Sequence, residues 1–130
     1  MISEHDRLRE LVGIAAGALM EAEVESIAGA SYHVPSPDRR AQRNGYRASS
    51  WSTPLGPIPL DIPKLRRGSY RPRWLRGADS TLIPAVAEAY ARGDVSTGWL
   101  AELTRALGLS ELTSDQREEV LTALREEIAA

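Results

Sequence analysis

The segment IPKLRRGSYRPRWLR, residues 62–76, concentrates side chains that bind phosphate groups. It contains one lysine, five arginines and no acidic residue. An arginine guanidinium presents several N–H donors in one plane, a geometry that matches the oxygens of a phosphate. Tyr70 and Trp74 alternate with these cations, as does Trp51 further upstream, and such rings can stack on a base or a sugar. The alternative is that these aromatic rings form the core of a small fold.

Two further arginines, Arg43 and Arg47, flank Asn44-Gly45, a dipeptide typical of turns. They are candidate phosphate contacts, and the alternative is that this stretch is a purely structural entry into a strand. The predicted nucleic-acid contacts are Arg43, Arg47, Lys64, Arg66, Arg67, Tyr70, Arg71, Arg73 and Arg76.

The charge of the 130-residue chain is divided into three parts. The formal net charge is −2, yet residues 39–76 carry ten basic and one acidic side chain, a balance of +9. Residues 1–38 carry −5 and residues 77–130 carry −6. This asymmetry indicates a segment that binds a polyanion, enclosed by acidic segments. The alternative is that the basic segment pairs with its acidic flanks.

The sequence predicts no metal site, no cofactor, no membrane span and no signal peptide. The chain has no cysteine, and His5 and His33 lie far apart without ligand spacing, so we expect neither a metal site nor a cofactor. No run of about 18 apolar residues is present, so no membrane span is expected. The charged N-terminus lacks the apolar core of a signal peptide, which favours a cytoplasmic, nucleoid-associated protein.

The pattern of helix and strand signals predicts an α+β fold that is mostly α. We expect a helix over residues 3–29, opened by Ser3 with Asp6 and ended by Gly29. Its apolar stripe is Leu8, Leu11, Val12, Ala15, Leu19, Ala22 and Ser26 or Ile27. Seven of the eight prolines lie between Pro35 and Pro72, which excludes long helices from the basic segment.

A β-hairpin is predicted in that segment, with strands 45–53 and 57–63 around the turn PLG, and Ile58, Leu60 and Ile62 on one face. Because an isolated hairpin is marginally stable, it should pack on a helix or on a second chain. Three helices follow: one from residue 80 to about Gly93, one over 96–107 capped by Ser96, and one over 114–128 opened by Thr113 and Gln116. The last two fit either a helix-turn-helix or a plain helical hairpin.

Four stretches of the sequence, taken in order, resemble the N-terminal part of the bacterial Mutator-type insertion-sequence transposases. They are EAEVESIAGASYH (21–33), RNGYR (43–47) followed by Trp51 and Thr53, LGPIPLDIPKLRRGSY (55–70) and AYARGDVSTGWLAELTRALGL (89–109). The likeness spans about residues 11–114. It implies a helical DNA-binding region with an inserted hairpin. In the family, this region precedes a ribonuclease-H-like catalytic domain whose three carboxylates would hold Mg²⁺ ions for phosphoryl transfer.

The resemblance implies that this chain binds double-stranded DNA, such as the terminal repeats of an insertion element. Since the sequence stops at Ala130, we expect that the catalytic domain is absent and that the chain is not itself an enzyme. Residues 1–130 would form one DNA-binding domain, with a helix (1–29), a basic hairpin segment (39–76) and a helical region (80–130). The alternatives are a module that forms homo-oligomers or regulates a full-length transposase, and a non-functional remnant.

The last predicted helix departs from the family pattern. Its sequence TSDQREEVLTALREEI is acidic, where the resemblance implies a polar start rich in serine and lysine. Carboxylates are repelled by phosphates, and in the major groove only cytosine amino groups favour them. We therefore expect that this helix does not read bases.

Overall fold

The computed structural model describes residues 3–29, 43–65, 69–75, 81–109 and 111–129. Its elements are α1 (Glu4–Gly29), β1 (Arg43–Thr53), β2 (Gly56–Leu65), a short 3-10 helix (Arg73–Leu75), α2 (Leu82–Arg92), α3 (Thr97–Leu107) and α4 (Ser114–Ala129). The predicted α+β, mostly α class is confirmed. Among the described helices, none is long and apolar enough to cross a membrane.

Helix α1 is the central element of the fold. It packs against β2, α2 and α4, and the predicted apolar positions Leu11 and Leu19 are buried. Met20 and Val24, which lie outside the predicted stripe, are fully buried as well. Ile27 is 52% exposed, so its place in the stripe was wrong. Because neighbours cover more than one side of α1, this helix buries more than the single stripe of an ordinary surface helix.

Strands β1 and β2 form the predicted antiparallel hairpin, and within the described residues each of the two strands is an edge of the sheet. Trp51 stands opposite Ile58, and Ser49 opposite Leu60. The two-residue period of a strand puts these four side chains on one face of the sheet. Trp51, Ile58, Leu60 and Ile62 are all buried there.

The hairpin packs on α1, the first of the two alternatives that the sequence predicted, a helix or a second chain. At the turn end, His5 Nε2 donates to the carbonyl oxygen of Leu55 at 2.8 Å. Further along, a Cβ placed on Gly13 would lie 3.4 Å from Ile58 Cγ2. Gly13 therefore lies directly beside strand β2. Gly17 has no such neighbour within 4 Å.

The C-terminal helices begin and end where their capping residues predict. Gly93 ends α2 and Gly108 ends α3, both in the left-handed conformation. Ser96 Oγ accepts from the backbone N–H of Trp99 at 3.1 Å and so caps α3. Four residues connect α2 with α3, the length typical of a helix-turn-helix, whereas six connect α3 with α4. A helix-turn-helix formed by α3 and α4 stays a prediction.

Gln116 both opens α4 and fastens it to α1. The side-chain Oε1 of Gln116 accepts from the backbone N–H of Thr113 at 2.9 Å. The backbone N–H of Gln116 donates to Thr113 Oγ1 at 3.1 Å, and this reciprocal pair confirms the predicted capping box. The Nε2 of the same side chain donates to the carbonyl oxygen of Ala22 at 3.2 Å. This buried amide satisfies groups on both helices, and it fixes the register of α4 against α1.

Candidate nucleic-acid interface

One carboxylate anchors the basic segment to the helical scaffold. Glu23 of α1 accepts a hydrogen bond from the hydroxyl of Tyr70, and the same oxygen accepts from Trp74 Nε1 at 3.3 Å. The rings of Tyr70 and Trp74 are 6% and 7% exposed. Sequence reasoning missed Glu23, because it stands in an acidic helical run without a motif to mark it. The two aromatic residues and this carboxylate hold residues 69–75 in place.

The phenol of Tyr70 stays protonated in this setting. Burial, together with the hydrogen bond to Glu23 and the negative charge of that residue, raises the pKa of Tyr70 well above its usual value. A raised pKa means that this stabilisation is fully present below the unfolded-state pKa, about 10, and is lost only as the pH rises beyond it. The protonation state of Tyr70 therefore does not change near neutrality.

The end of the hairpin opposite its turn is hydrogen-bonded both to residues 69–75 and to α1. Arg47 Nη2 donates to the carbonyl oxygen of Tyr70 at 3.2 Å. The hydroxyl of Tyr46 donates to Glu21 Oε1 of α1 at 2.5 Å. The structure thus brings the hairpin and residues 69–75 together at one end of the sheet, beside the C-terminal part of α1.

Four predicted contact residues lie on the hairpin and on residues 69–75, and together we name them the basic face: Arg47, Lys64, Arg71 and Arg73. Arg47 pairs with Ile62 in the sheet, and Lys64 follows two residues later on the same side of β2. Arg47 is half-buried, whereas Lys64, Arg71 and Arg73 are exposed. The charged groups of the three exposed residues are therefore available to an anionic partner.

Five ion pairs join two described side chains, and all five lie within the acidic flanks. They are Arg7 with Glu10 and Glu127, Arg9 with Asp6, Arg92 with Glu88, and Arg125 with Asp94. Within the described ranges, no carboxylate forms an ion pair with Lys64, Arg71 or Arg73. For these three cations, pairing with the flanks does not explain the concentration of positive charge.

The other predicted contact residues have different positions. Arg43 lies in β1 opposite Leu65, while Arg66, Arg67 and Arg76, like His33, lie outside the described residues. The ring of Tyr70 is in the core and not on the basic face, because its hydroxyl reaches inward to Glu23. Trp51 and Trp74 are also buried, which agrees with the alternative that the aromatic rings form a core.

The acidic residues of α4 point away from the core. Asp115, Glu118, Glu119 and Glu126 are exposed, while the opposite side of the helix is buried and contacts α1. In the part of the chain that the structure describes, no three His, Asp or Glu side chains lie close enough to share a metal ion. The exposed face of α4 is thus an anionic surface, which repels phosphate.

In the described part of the chain, the residues of the basic face lie on a hairpin and a short segment that are both bonded to α1. Comparison with known families gives the class of protein. Residues 1–130 match the family described as "Transposase, Mutator family", and the chain belongs to this family. The resemblance found in its short motifs is confirmed.

The curated relatives are transposases of insertion elements. The chain is 39% identical over 129 residues to "Transposase for insertion sequence element IS1081" of Mycobacterium tuberculosis (strain ATCC 25618 / H37Rv), a match that covers 96% of this chain and 31% of that protein. A protein of the same name from Mycobacterium bovis matches equally well. "Transposase for insertion sequence element ISRM5" of Rhizobium meliloti is 29% identical over 111 residues, which cover 82% of this chain and 27% of that protein. The chain thus spans about a third of the length of these relatives. No solved structure matches.

Replacing Glu23 with alanine should lower the free energy of unfolding by roughly 2–4 kcal/mol. The change leaves the Tyr70 hydroxyl and the Trp74 indole N–H without their acceptor in a buried setting, and each such loss costs about 1–3 kcal/mol. Chemical denaturation of E23A measures the effect. Glu23→Gln keeps an acceptor oxygen and should cost less, and Glu102→Ala, on the exposed side of α3, serves as the control. If E23A and E102A were equally stable, the anchor would be refuted.

Proposed function

We propose that residues 1–130 act as one DNA-binding unit and that the basic face binds the backbone of double-stranded DNA. The observation that carries this proposal is the set of exposed cations Lys64, Arg71 and Arg73. They stand on an anchored scaffold, with no ion-pairing carboxylate among the described residues. Lysine and arginine in such a position bind phosphate oxygens and release condensed counterions.

The net negative charge of the chain does not oppose this binding. At physiological ionic strength, interactions between exposed charges are largely screened beyond a Debye length of about 8 Å. The local field at residues 39–76, where the formal charge is +9, therefore governs the approach of a polyanion more than the total of −2 does.

The curated relatives are named as transposases for insertion sequence elements, so we propose the terminal repeats of such an element as the natural target. In this proposal the basic face fixes the position of the chain on DNA. Phosphate contacts carry little sequence information, so discrimination between sequences by the basic face alone is weak. Cleavage and joining of strands are left to another part of a transposase.

Helix α4 has a structural role in this proposal. Its buried side holds α1 through Gln116 and neighbouring apolar residues, and its outer side presents carboxylates. Placed in a major groove, those carboxylates would meet phosphates of like charge. The proposed duplex therefore lies against the hairpin and residues 69–75, and α4 does not read bases.

Duplex binding should weaken steeply with salt. Each phosphate contact contributes about −0.9 to the slope of the logarithm of the binding constant against that of the salt concentration. Three to four phosphate contacts on the basic face predict a slope of about −2.7 to −3.6, and a loss of roughly 40- to 150-fold between about 50 and 200 mM salt. Fluorescence anisotropy with a random-sequence duplex measures this slope. Affinity that stays constant over this range would contradict the proposal and favour a module for oligomerisation.

A further inference from the structure

A cleft of about 230 Å³ lies between the hairpin and residues 69–75. Leu60 and Ile62 of β2 and Leu75 of the 3-10 helix supply apolar walls. Arg47 and Arg71 of the basic face line the same cleft, and Ser49 adds a hydroxyl group. The cleft therefore combines an apolar interior with two guanidinium groups.

Both walls of the cleft are held in place. On the hairpin side, Ser49 stands opposite Leu60 and Arg47 opposite Ile62 in the antiparallel register, so these four side chains are direct neighbours. On the other side, Trp74 is tied to α1 through its bond to Glu23. Arg47 also bridges the two sides by its hydrogen bond to the Tyr70 carbonyl oxygen. A pocket between anchored elements is largely formed before a ligand arrives, as is usual for binding sites.

The composition and size of the cleft favour one class of ligand. A bare phosphate would gain nothing from three aliphatic walls, and a purely apolar ligand would gain nothing from two arginines. A nucleotide has an apolar planar ring and an anionic phosphate, and it matches both parts. The volume lies below the range of about 300–1,000 Å³ that is usual for drug-sized ligands, so the cleft suits one ring. A base paired within a duplex cannot enter, because its faces are covered by its neighbours in the stack.

We propose that this cleft binds a single unpaired nucleotide, with its base between the aliphatic walls and its phosphate on Arg71, while the basic face holds the adjoining duplex. The inference rests on the proposed DNA binding and specifies the form of DNA that the site prefers. The chain then binds a duplex that contains an unpaired nucleotide more tightly than the same duplex fully paired.

The test compares three DNAs of otherwise identical sequence by fluorescence anisotropy at one salt concentration. The first is a fully paired duplex, the second carries a one-nucleotide bulge, and the third carries an abasic residue in that bulge. Burial of the apolar faces of the base against the walls of the cleft favours binding, so we expect about tenfold tighter binding of the base-containing bulge than of either other DNA. The abasic bulge is the essential control, because it has the flexibility of a bulge without the base.

Variants of the protein locate the effect. Ser49→Leu fills the cleft and should abolish the preference while leaving the affinity for the paired duplex unchanged. Ser52→Leu, on an exposed position of β1 away from the cleft, should keep the preference. Equal affinity for all three DNAs would overturn the inference and leave the proposed duplex binding intact. Absence of binding to any of them would overturn both. The comparison of DNAs decides the question even if S49L fails to fold.

Discussion

Replacing Arg71 and Arg73 with alanine should weaken the binding of duplex DNA roughly 60-fold at about 0.1 M salt and flatten the salt slope by about 2. Both side chains are exposed on an anchored segment, so the substitutions remove charge without removing packing. The loss should be nearly the same for every DNA sequence, since phosphate contacts are independent of sequence. Anisotropy titrations at several salt concentrations give both quantities.

A second double variant controls for the change in net charge. Arg92 and Arg105 are also exposed arginines, but they lie on α2 and α3 outside the basic face. Replacing this pair with alanine removes the same charge and should change the affinity by less than about threefold. Equal losses in the two double variants would mean that net charge, and not the basic face, governs binding.

Replacing Leu121 with alanine should lower the free energy of unfolding by about 2–5 kcal/mol. Leu121 is 1% exposed and belongs to the buried core in which α4 packs against α1. Removing its branched side chain leaves a cavity that neighbouring groups fill only in part. Since small domains are stable by about 5–15 kcal/mol, this loss is a large fraction of the total. Thermal or chemical denaturation measures it.

The neighbouring residue Thr122 gives a matched comparison, because it is exposed on the same turn of α4. Thr122→Ala should change stability by no more than about 0.5 kcal/mol. If Leu121→Ala were equally mild, α4 would not be part of the core, and its role as a structural helix would be wrong.

The local signals of this sequence predicted the boundaries of its elements well. Ser96, Gly93 and Gly108 act through the backbone of their own turn, and Thr113 with Gln116 forms a reciprocal cap within four residues. Such interactions depend on nearby residues alone. The alternation of apolar residues in β2 predicted its buried face for the same reason.

Contacts between distant parts of the chain were not predictable in this way. The burial of Met20 and Val24 follows from the packing of three elements around α1, and a single helical stripe does not encode that arrangement. The hydrogen bond from Gln116 Nε2 to the carbonyl oxygen of Ala22 joins residues 94 positions apart. No short motif specifies such a partner.

In the candidate site, too, local features of the sequence were predictable and contacts between distant residues were not. Composition identified the basic segment, because charge can be counted along the chain. It did not show that Tyr70 turns inward to Glu23 while Arg71 and Arg73 stay exposed. That distinction depends on an anchor 47 positions upstream. It also decides which residues of the segment are exposed.

The absence of cysteine from this chain permits a direct measurement of where DNA lies. A single cysteine is introduced at Ser69, an exposed position beside the basic face, or at Thr122, an exposed position on α4, and each variant is coupled to a DNA-cleaving iron chelate. With a bound duplex, we predict strand cleavage from position 69 and little or none from position 122. Cleavage from position 122 without cleavage from position 69 would contradict the proposal that the basic face, and not α4, holds the DNA.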